Sequence, residues 1–226
     1  MAYVTADEVR SIINISSSQI DDNELANIIT FASYQLNEDL QIEIDRERIA
    51  YISDIKENKI DGSNKTFYVQ NSFIGDLNDD FTVDTTDIEV WKEYDNIKTY
   101  LTVSTIDVKE GFITVDSAPA NEGEYFIKYT YSKARMDTPS KKVILAAAQL
   151  VAAWAYSKLN VGKAPRFKMG NLTVFRDTSA HKYWMNQYQD TIAKINSEWM
   201  VQFADSVEGQ EIWAQYYVMG QILTKS

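Results

Sequence analysis

With 45% hydrophobic and 24% charged residues over 226 positions, the composition is that of an ordinary folded protein and excludes disorder or a fibrous repeat. The absence of cysteine excludes disulfides, thiolate metal sites and cysteine nucleophiles. The net charge of −11 is unevenly spread, at −7 over residues 1–44, −9 over 45–130 and +5 over 131–226. An acidic surface does not condense onto DNA, because counterion release needs clustered Lys and Arg facing the phosphates.

The beginning of the chain, Met1-Ala2-Tyr3-Val4-Thr5, lacks the basic region and apolar run of a signal peptide. Thr5-Ala6-Asp7-Glu8 has the capping-box pattern, which predicts a short helix burying Val9, Ile12 and Ile13. Asp21-Asp22-Asn23-Glu24 is a second start signal, and Leu25, Ile28, Ala32 and Leu36 then recur at helical spacing, predicting a helix to about Glu38.

From Asp45 the period changes, and Thr, Val, Ile, Tyr and Phe dominate between Asp, Asn and Gly punctuation. Strands are expected at 66–69, 88–94, 99–104, 112–116 and 125–131, with an earlier one near 49–52. Asp61-Gly62, Glu110-Gly111 and Glu122-Gly123 supply turns. Within this region Asp76, Asn78, Asp80, Thr82, Asp84 and Asp87 fall at the ligand positions of a calcium loop. Phe81 occupies the place of the turn-making glycine, and Asp87 that of the bidentate Glu, so the simpler reading is an acidic, solvated inter-strand loop.

Pro139 closes the β region and a helix is expected from about Ser140. From Ile144 to Ala155 every residue except Gln149 is apolar. A helix apolar all round must be covered on all sides. The expectation is that copies of the chain pack against one another through Leu145, Ala148, Ala152 and Trp154; the alternative is cover by the β region within one chain. The apolar stretch 143–156 is too short to span a bilayer, and no membrane anchor is expected.

Residues 165–176 read as two short strands around Gly170-Asn171, a hairpin or ordered loop. Over residues 158–182, Lys158, Lys163, Arg166, Lys168, Arg176 and Lys182 stand against Asp177 alone, a patch suited to DNA phosphates or to an acidic partner. Asp177, Thr178 or Ser179 can cap a long final helix with Trp184, Tyr188, Ile192, Ile195, Trp199 and Phe203 on one stripe. The last segment brings Ile212, Trp213, Tyr216, Tyr217, Val218, Met219, Ile222 and Leu223 to the end of the chain. These residues either fold back onto the chain's own helices or dock into a neighbouring protein through aromatic anchors.

The fold class expected is α+β: a small bundle of about four helices with an antiparallel β-sandwich or barrel-like domain inserted between helices 2 and 3. Its divisions are 1–44 for the first helices, 45–136 for the β insert, 137–205 for the remaining helices and hairpin, and 206–226 for the tail. His181 is the only histidine, so no triad, histidine metal cluster or two-histidine acid/base pair can be built within one chain. The eight glycines form no Walker or dinucleotide fingerprint. The reading is therefore of an assembly protein rather than an enzyme, with no cofactor and no committed metal site.

The helical parts resemble the head–tail connector, or adaptor, proteins of long-tailed double-stranded DNA bacteriophages. The resemblance rests on the capped helix at Thr5, the helix from Asp21, the Ala-rich helix from Ser140 to Leu159, the loop Lys168-Met169-Gly170-Asn171-Leu172-Thr173-Val174 and the long closing helix. It covers residues 1–40 and 137–205. It implies a virion protein made in the host cytoplasm, forming a homo-oligomeric ring, typically a dodecamer, below the portal protein and above a tail-completion or stopper protein. Double-stranded DNA would pass through that ring without sequence specificity. Arg166, Lys168, Met169, Gly170, Asn171 and Leu172 would face the channel, and Ile212, Trp213, Tyr216 and Tyr217 would dock on the portal. Members are usually about half this length, so the β insert is a departure, expected on the outside of the ring. Two other functions fit the sequence. One is a glycan- or host-surface-binding accessory protein using Tyr68, Trp91, Tyr94 and Tyr100 of the insert, and the other a small ring-forming DNA-packaging subunit using the basic segment.

Overall fold

The computed structural model describes residues 3–49, 58–120, 124–161, 166–169, 172–175 and 179–205. The fold is α+β, with four α-helices and antiparallel sheets among the described residues. Helix α1 (Ala6–Ile12) starts at the expected capping box: the Glu8 amide donates to Thr5 Oγ1 and the Thr5 amide to Glu8 Oε2 at 2.7 Å. Val9 and Ile13 are buried, but Ile12, the last residue of the helix, is exposed. Arg10 ties the following turn together by donating to the Ile15 and Ile20 carbonyls, and it pairs with Asp22.

Helix α2 (Asp22–Leu40) is capped by Asp21, which accepts from the Glu24 amide at 2.9 Å. Leu25, Ile29, Ala32, Leu36 and Leu40 are buried on its inner face. Strand β1 (Gln41–Arg48) follows without a loop, so the β region begins before Asp45; the strand expected near 49–52 lies, apart from Ile49, outside the described residues. No residue punctuates this change: Gln41, the helix C-cap, simply turns extended.

The other strands are β2 (Thr66–Tyr68), β3 (Ile88–Tyr94), β4 (Ile97–Leu101), β5 (Val103–Asp107), β6 (Phe112–Val115) and β7 (Glu124–Ser132). They form one sheet of order β1-β7-β3-β4 and another of order β2-β6-β5, with antiparallel pairing throughout. The strand expected at 99–104 is in fact two, which part at Thr102 and join different sheets. Asp95 and Asn96, both at positive φ, turn β3 into β4, as a two-residue hairpin of the primed type requires. Gly111, also at positive φ, serves the turn from β5 to β6. The expected turn at Glu122-Gly123 lies outside the described residues.

Helix α3 (Lys141–Asn160), capped by Ser140, runs through the middle of the helical body. Strands β8 (Arg166–Met169) and β9 (Leu172–Phe175) form the expected hairpin, and α4 (Ala180–Asp205) closes the described chain. Two hydrophobic clusters result. One gathers α1 to α4 around α3, and the other takes residues of both sheets, including Phe67, Val90, Ile113, Ile127 and Tyr129. Val83 touches both, and Trp199 of α4 packs on the β cluster, its ring 6.3 Å from that of Tyr131.

The all-apolar α3 is covered from within the chain, by α1, α2 and α4. Ala148 and Ala152 are each 0% exposed in a single chain, so they cannot pack against a second copy. Small side chains there let helices approach closely, and that approach hides what looked like a surplus apolar face. Trp154 is half-buried, and only Leu145, at 42%, is an exposed large apolar residue of this helix. A direct check follows. Ala148→Leu is expected to cost about 1–3 kcal/mol by overpacking, while Leu145→Gln stays within about 0.5 kcal/mol of the parent. Both are measured by urea unfolding of the isolated chain, and equal effects would contradict the placement.

Candidate functional site

Two regions carry the chemistry anticipated from the sequence, the acidic loop 76–87 and the basic hairpin between α3 and α4. In the acidic loop each suspected calcium ligand except Thr82 has a side-chain oxygen bound to a backbone amide. Asp76 accepts from the Asp80 and Phe81 amides at 3.2 and 2.6 Å. Asn78 accepts from the Asp80 amide, and Asp80 from that of Thr82, at 3.0 and 2.8 Å. Asp84 caps the short 3-10 turn Thr85–Asp87 through the Thr86 amide. Asp87, fully buried, accepts from Leu77 and Asn78 with one oxygen and from Asp84 with the other. Among the described residues no group of three or more His, Asp or Glu side chains is arranged to hold a metal ion.

The loop works as a clasp. Its hydrogen bonds hold Asp79 and Phe81 at positive φ, a costly conformation for a bulky residue. That backbone sets the Phe81 ring against Tyr34 of α2, 4.8 Å between centroids, and edge-on to Tyr3 at 6.4 Å. Tyr3 in turn donates its hydroxyl to Asn37, and its own ionisation is pushed up by burial and by Asp76 and Asp79. The sequence reading of a solvated loop holds for Asp80 and Asp84 and fails for Asp76 and Asp87, which are buried.

A second polar network lies inside the β region. The Tyr129 hydroxyl donates to Glu47 at 2.6 Å, Asn71 donates to that hydroxyl, and the Gln70 amide donates to the other Glu47 oxygen. The pairing register shifts between Ile44 and Glu47, and this irregularity in β1 accompanies the burial of Glu47. Burial and the adjacent carboxylate both raise the Tyr129 ionisation. Nothing in the strand's alternation signals this pair, because an acid on a half-exposed strand reads as solvated.

In the basic segment, Arg166 pairs with Phe175, Lys168 with Thr173 and Met169 with Leu172, so these residues occupy rungs of one hairpin. Gly170 and Asn171 lie outside the described residues, as do Ile212, Trp213, Tyr216 and Tyr217. Of the aromatic residues considered for sugar stacking, Trp91 is only 2% exposed, with Lys98 Nζ 4.3 Å from its ring centre. Tyr68 packs edge-on against Phe112, while Tyr94 and Tyr100 are exposed.

The helical body exposes apolar side chains that the sequence reading missed: Phe31 and Tyr34 on α2, and Tyr183, Met200 and Val201 on α4. The signal was present for Phe31 and Tyr34, which fall off the Leu25, Ala32 and Leu36 stripe. Between α2, α3 and α4 lies an open groove of about 610 Å³, whose apolar lining includes Leu150, Trp154, Met185 and Ile192. Asp39 and Asn196 also line it. Asp39 is engaged by the Tyr188 hydroxyl, whereas Asn196 Oδ1 is buried and accepts no hydrogen bond among the described residues. No helix of the described residues is long and apolar enough to cross a membrane. Compared with family models and with curated proteins, the sequence matches none.

The buried carboxylate of Asp87 gives this region a pH signature. Burial, opposed by the three amides, raises it from 3.8 to about 6. Between those values the folded state binds more protons than the unfolded one. This group's contribution to stability is therefore full below 3.8 and lost as pH rises through about 6. In urea unfolding at about pH 4 and about pH 7, the parent is expected to lose more stability on going to the higher pH than Asp87→Asn does. Parallel profiles would contradict it.

Proposed function

We propose that this chain is the subunit of an oligomeric ring between the portal and the tail of a bacteriophage virion, a conduit through which the genome passes and is retained. The observation that carries the proposal is the order of the helical body: α1, α2, an insertion, α3, the β8–β9 hairpin and the long α4. That order, with the hairpin joining the last two helices, is the pattern on which the connector resemblance rests. In this reading the hairpin with Arg166, Lys168, Met169 and Leu172, together with Gly170 and Asn171, faces the channel. Net negative charge lets double-stranded DNA slide past without sequence-specific capture. The portal lies above the ring, in contact with the tail residues Ile212, Trp213, Tyr216 and Tyr217, and a tail-completion or stopper protein lies below.

A ring closes through heterologous contacts, in which two different surfaces of each subunit meet. With Ala148 and Ala152 buried, those surfaces are assigned to the exposed apolar residues Phe31 and Tyr34 on α2, and Tyr183 and Val201 on α4. Phe31 and Tyr34, three residues apart, are neighbours on one face of α2, and contiguous exposed apolar surface of this kind marks contact sites. Mixed with the portal from the same genome, the purified chain is expected to bind with one subunit per portal subunit in native mass spectrometry. Phe31→Glu and Val201→Glu each reduce ring formation at least tenfold while leaving the helical circular dichroism unchanged. A chain that stays monomeric and never binds portal or tail-completion protein sinks the proposal.

A second reading is favoured by the exposed Tyr94 and Tyr100 on the β3–β4 hairpin, which are placed to stack on sugars. If the insert recognises a host glycan, a glycan array probed with the full chain gives binding that Tyr94→Ala and Tyr100→Ala abolish. Signal unaffected by both substitutions counts against it.

A further inference from the structure

We propose that strand β4 is a docking edge for a second copy of this chain, the two β4 strands pairing antiparallel about Thr99. The two larger sheets end in the edge strands β1, β4, β2 and β5. An edge strand presents unpaired amides and carbonyls, and is ordinarily blunted by bulges, charges or a covering group. All of these edges but β4 are blunted. Strand β1 has a register shift between Ile44 and Glu47 and carries Glu43, Asp45, Arg46, Glu47 and Arg48. In β2 the Asn58 side chain occupies both the amide and the carbonyl of Tyr68, and β5 is interrupted by a register shift between Val103 and Thr105. Strand β4 pairs with β3 in unbroken register, and its only charged residue is Lys98. The large apolar side chains exposed in the described β region, Tyr94, Ile97 and Tyr100, all lie on this β3–β4 hairpin.

The hairpin register fixes which backbone groups are open. In a two-residue hairpin the pair flanking the turn, here Tyr94 and Ile97, is hydrogen-bonded, and bonded and non-bonded pairs then alternate. Ile97, Thr99 and Leu101 therefore bond to β3, while the amides and carbonyls of Lys98 and Tyr100 point to the open edge, where the described residues supply no partner. The open stretch stops at Thr102, whose carbonyl accepts from the Asp116 amide at 3.0 Å. About a two-fold axis at Thr99, Lys98 of one copy lies opposite Tyr100 of the other, and these outward pairs exchange both hydrogen bonds. The side chains match as well. Ile97 meets Leu101 of the second copy, Thr99 meets Thr99, and on the other face the Lys98 ammonium lies beside the Tyr100 ring. Other registers fit less well: a centre at Lys98 sets like charges opposite each other, and one at Tyr100 brings Lys98 against the occupied carbonyl of Thr102. This contact belongs to the β region and is independent of the helical surfaces assigned to the ring.

The test uses the full chain carrying Phe31→Glu, so that the α2 surface takes no part. Because one strand pair buries less than the roughly 1,200 Å² of a stable complex, sedimentation velocity is run at about 50 µM and above, where a concentration-dependent dimer is expected. Thr99→Lys sets two ammonium groups opposite each other, and Tyr100→Pro removes an outward amide that β3 does not use; each is expected to give monomer with unchanged circular dichroism. Thr99→Glu is expected to be monomeric too, whereas mixing the Thr99→Lys and Thr99→Glu chains restores the dimer. With no native cysteine to interfere, Thr99→Cys places two thiols on a non-hydrogen-bonded pair with Cα atoms about 4.5 Å apart, within disulfide reach. Mild oxidation is expected to link it about fivefold more than Ile97→Cys, which faces Leu101 of the second copy instead. Monomer at every concentration, a dimer insensitive to both Thr99→Lys and Tyr100→Pro, a mixture that stays monomeric, or equal linkage at positions 97 and 99 overturns the inference. The ring reading stands or falls separately, on portal binding.

Discussion

The architecture depends on one junction, where the chain leaves the helical body for the sheets and returns. Strand β1 leaves α2 at Gln41, and β7 comes back beside it antiparallel, with Gln41 opposite Ser132. The Lys133 amide donates to the Leu40 carbonyl at 2.9 Å, closing a loop of more than ninety residues. Because the insertion begins and ends at one hydrogen-bonded place, α2 and α3 pack as though they were consecutive. The β region can then vary without disturbing the bundle, since closing a long loop costs little more than closing a short one.

The junction is reinforced on two sides by aromatic contacts. The acidic loop brings Phe81 onto Tyr34 and Tyr3, and α4 brings Trp199 onto Tyr131. The bundle and the sheets are thereby held at contacts far apart in sequence, which fixes the direction in which the β region projects. Carboxylates of the loop spend their acceptor capacity on backbone amides, and in doing so hold a left-handed phenylalanine in place. The same residue types at the same spacing thus serve as internal scaffolding.

Burial redistributes the apolar surface. Helix α3, the most apolar segment, is consumed by intramolecular packing, and the apolar side chains that the helical body leaves exposed include Phe31, Tyr34, Tyr183, Met200 and Val201. Gln149 shows how thoroughly α3 is enclosed, since this one polar side chain of the stretch 144–155 is satisfied inside the body by Thr191 of α4 at 2.9 Å. Pairing of this kind removes the cost of a buried amide and fixes the register of the two longest helices.

The sequence by itself determined the elements whose causes are local. Thr5, Asp21 and Ser140 cap helices because a side-chain oxygen reaches amides two or three residues ahead, and the alternation of residues 88–94 is a strand whatever surrounds it. The hairpin of residues 166–175 was legible for the same reason. Other features were decided only by tertiary structure. Whether α3 faces neighbours or its own chain depends on how closely α1, α2 and α4 approach it. Whether Asp76 and Asp87 meet a cation or amides depends on the path of the backbone between them. The parting of β4 and β5 at Thr102, and the burial of Glu47 beside Tyr129, follow from which strands pair across long sequence separations. Local patterns carry the energetics of caps and periods, whereas exposure is a property of the packed whole.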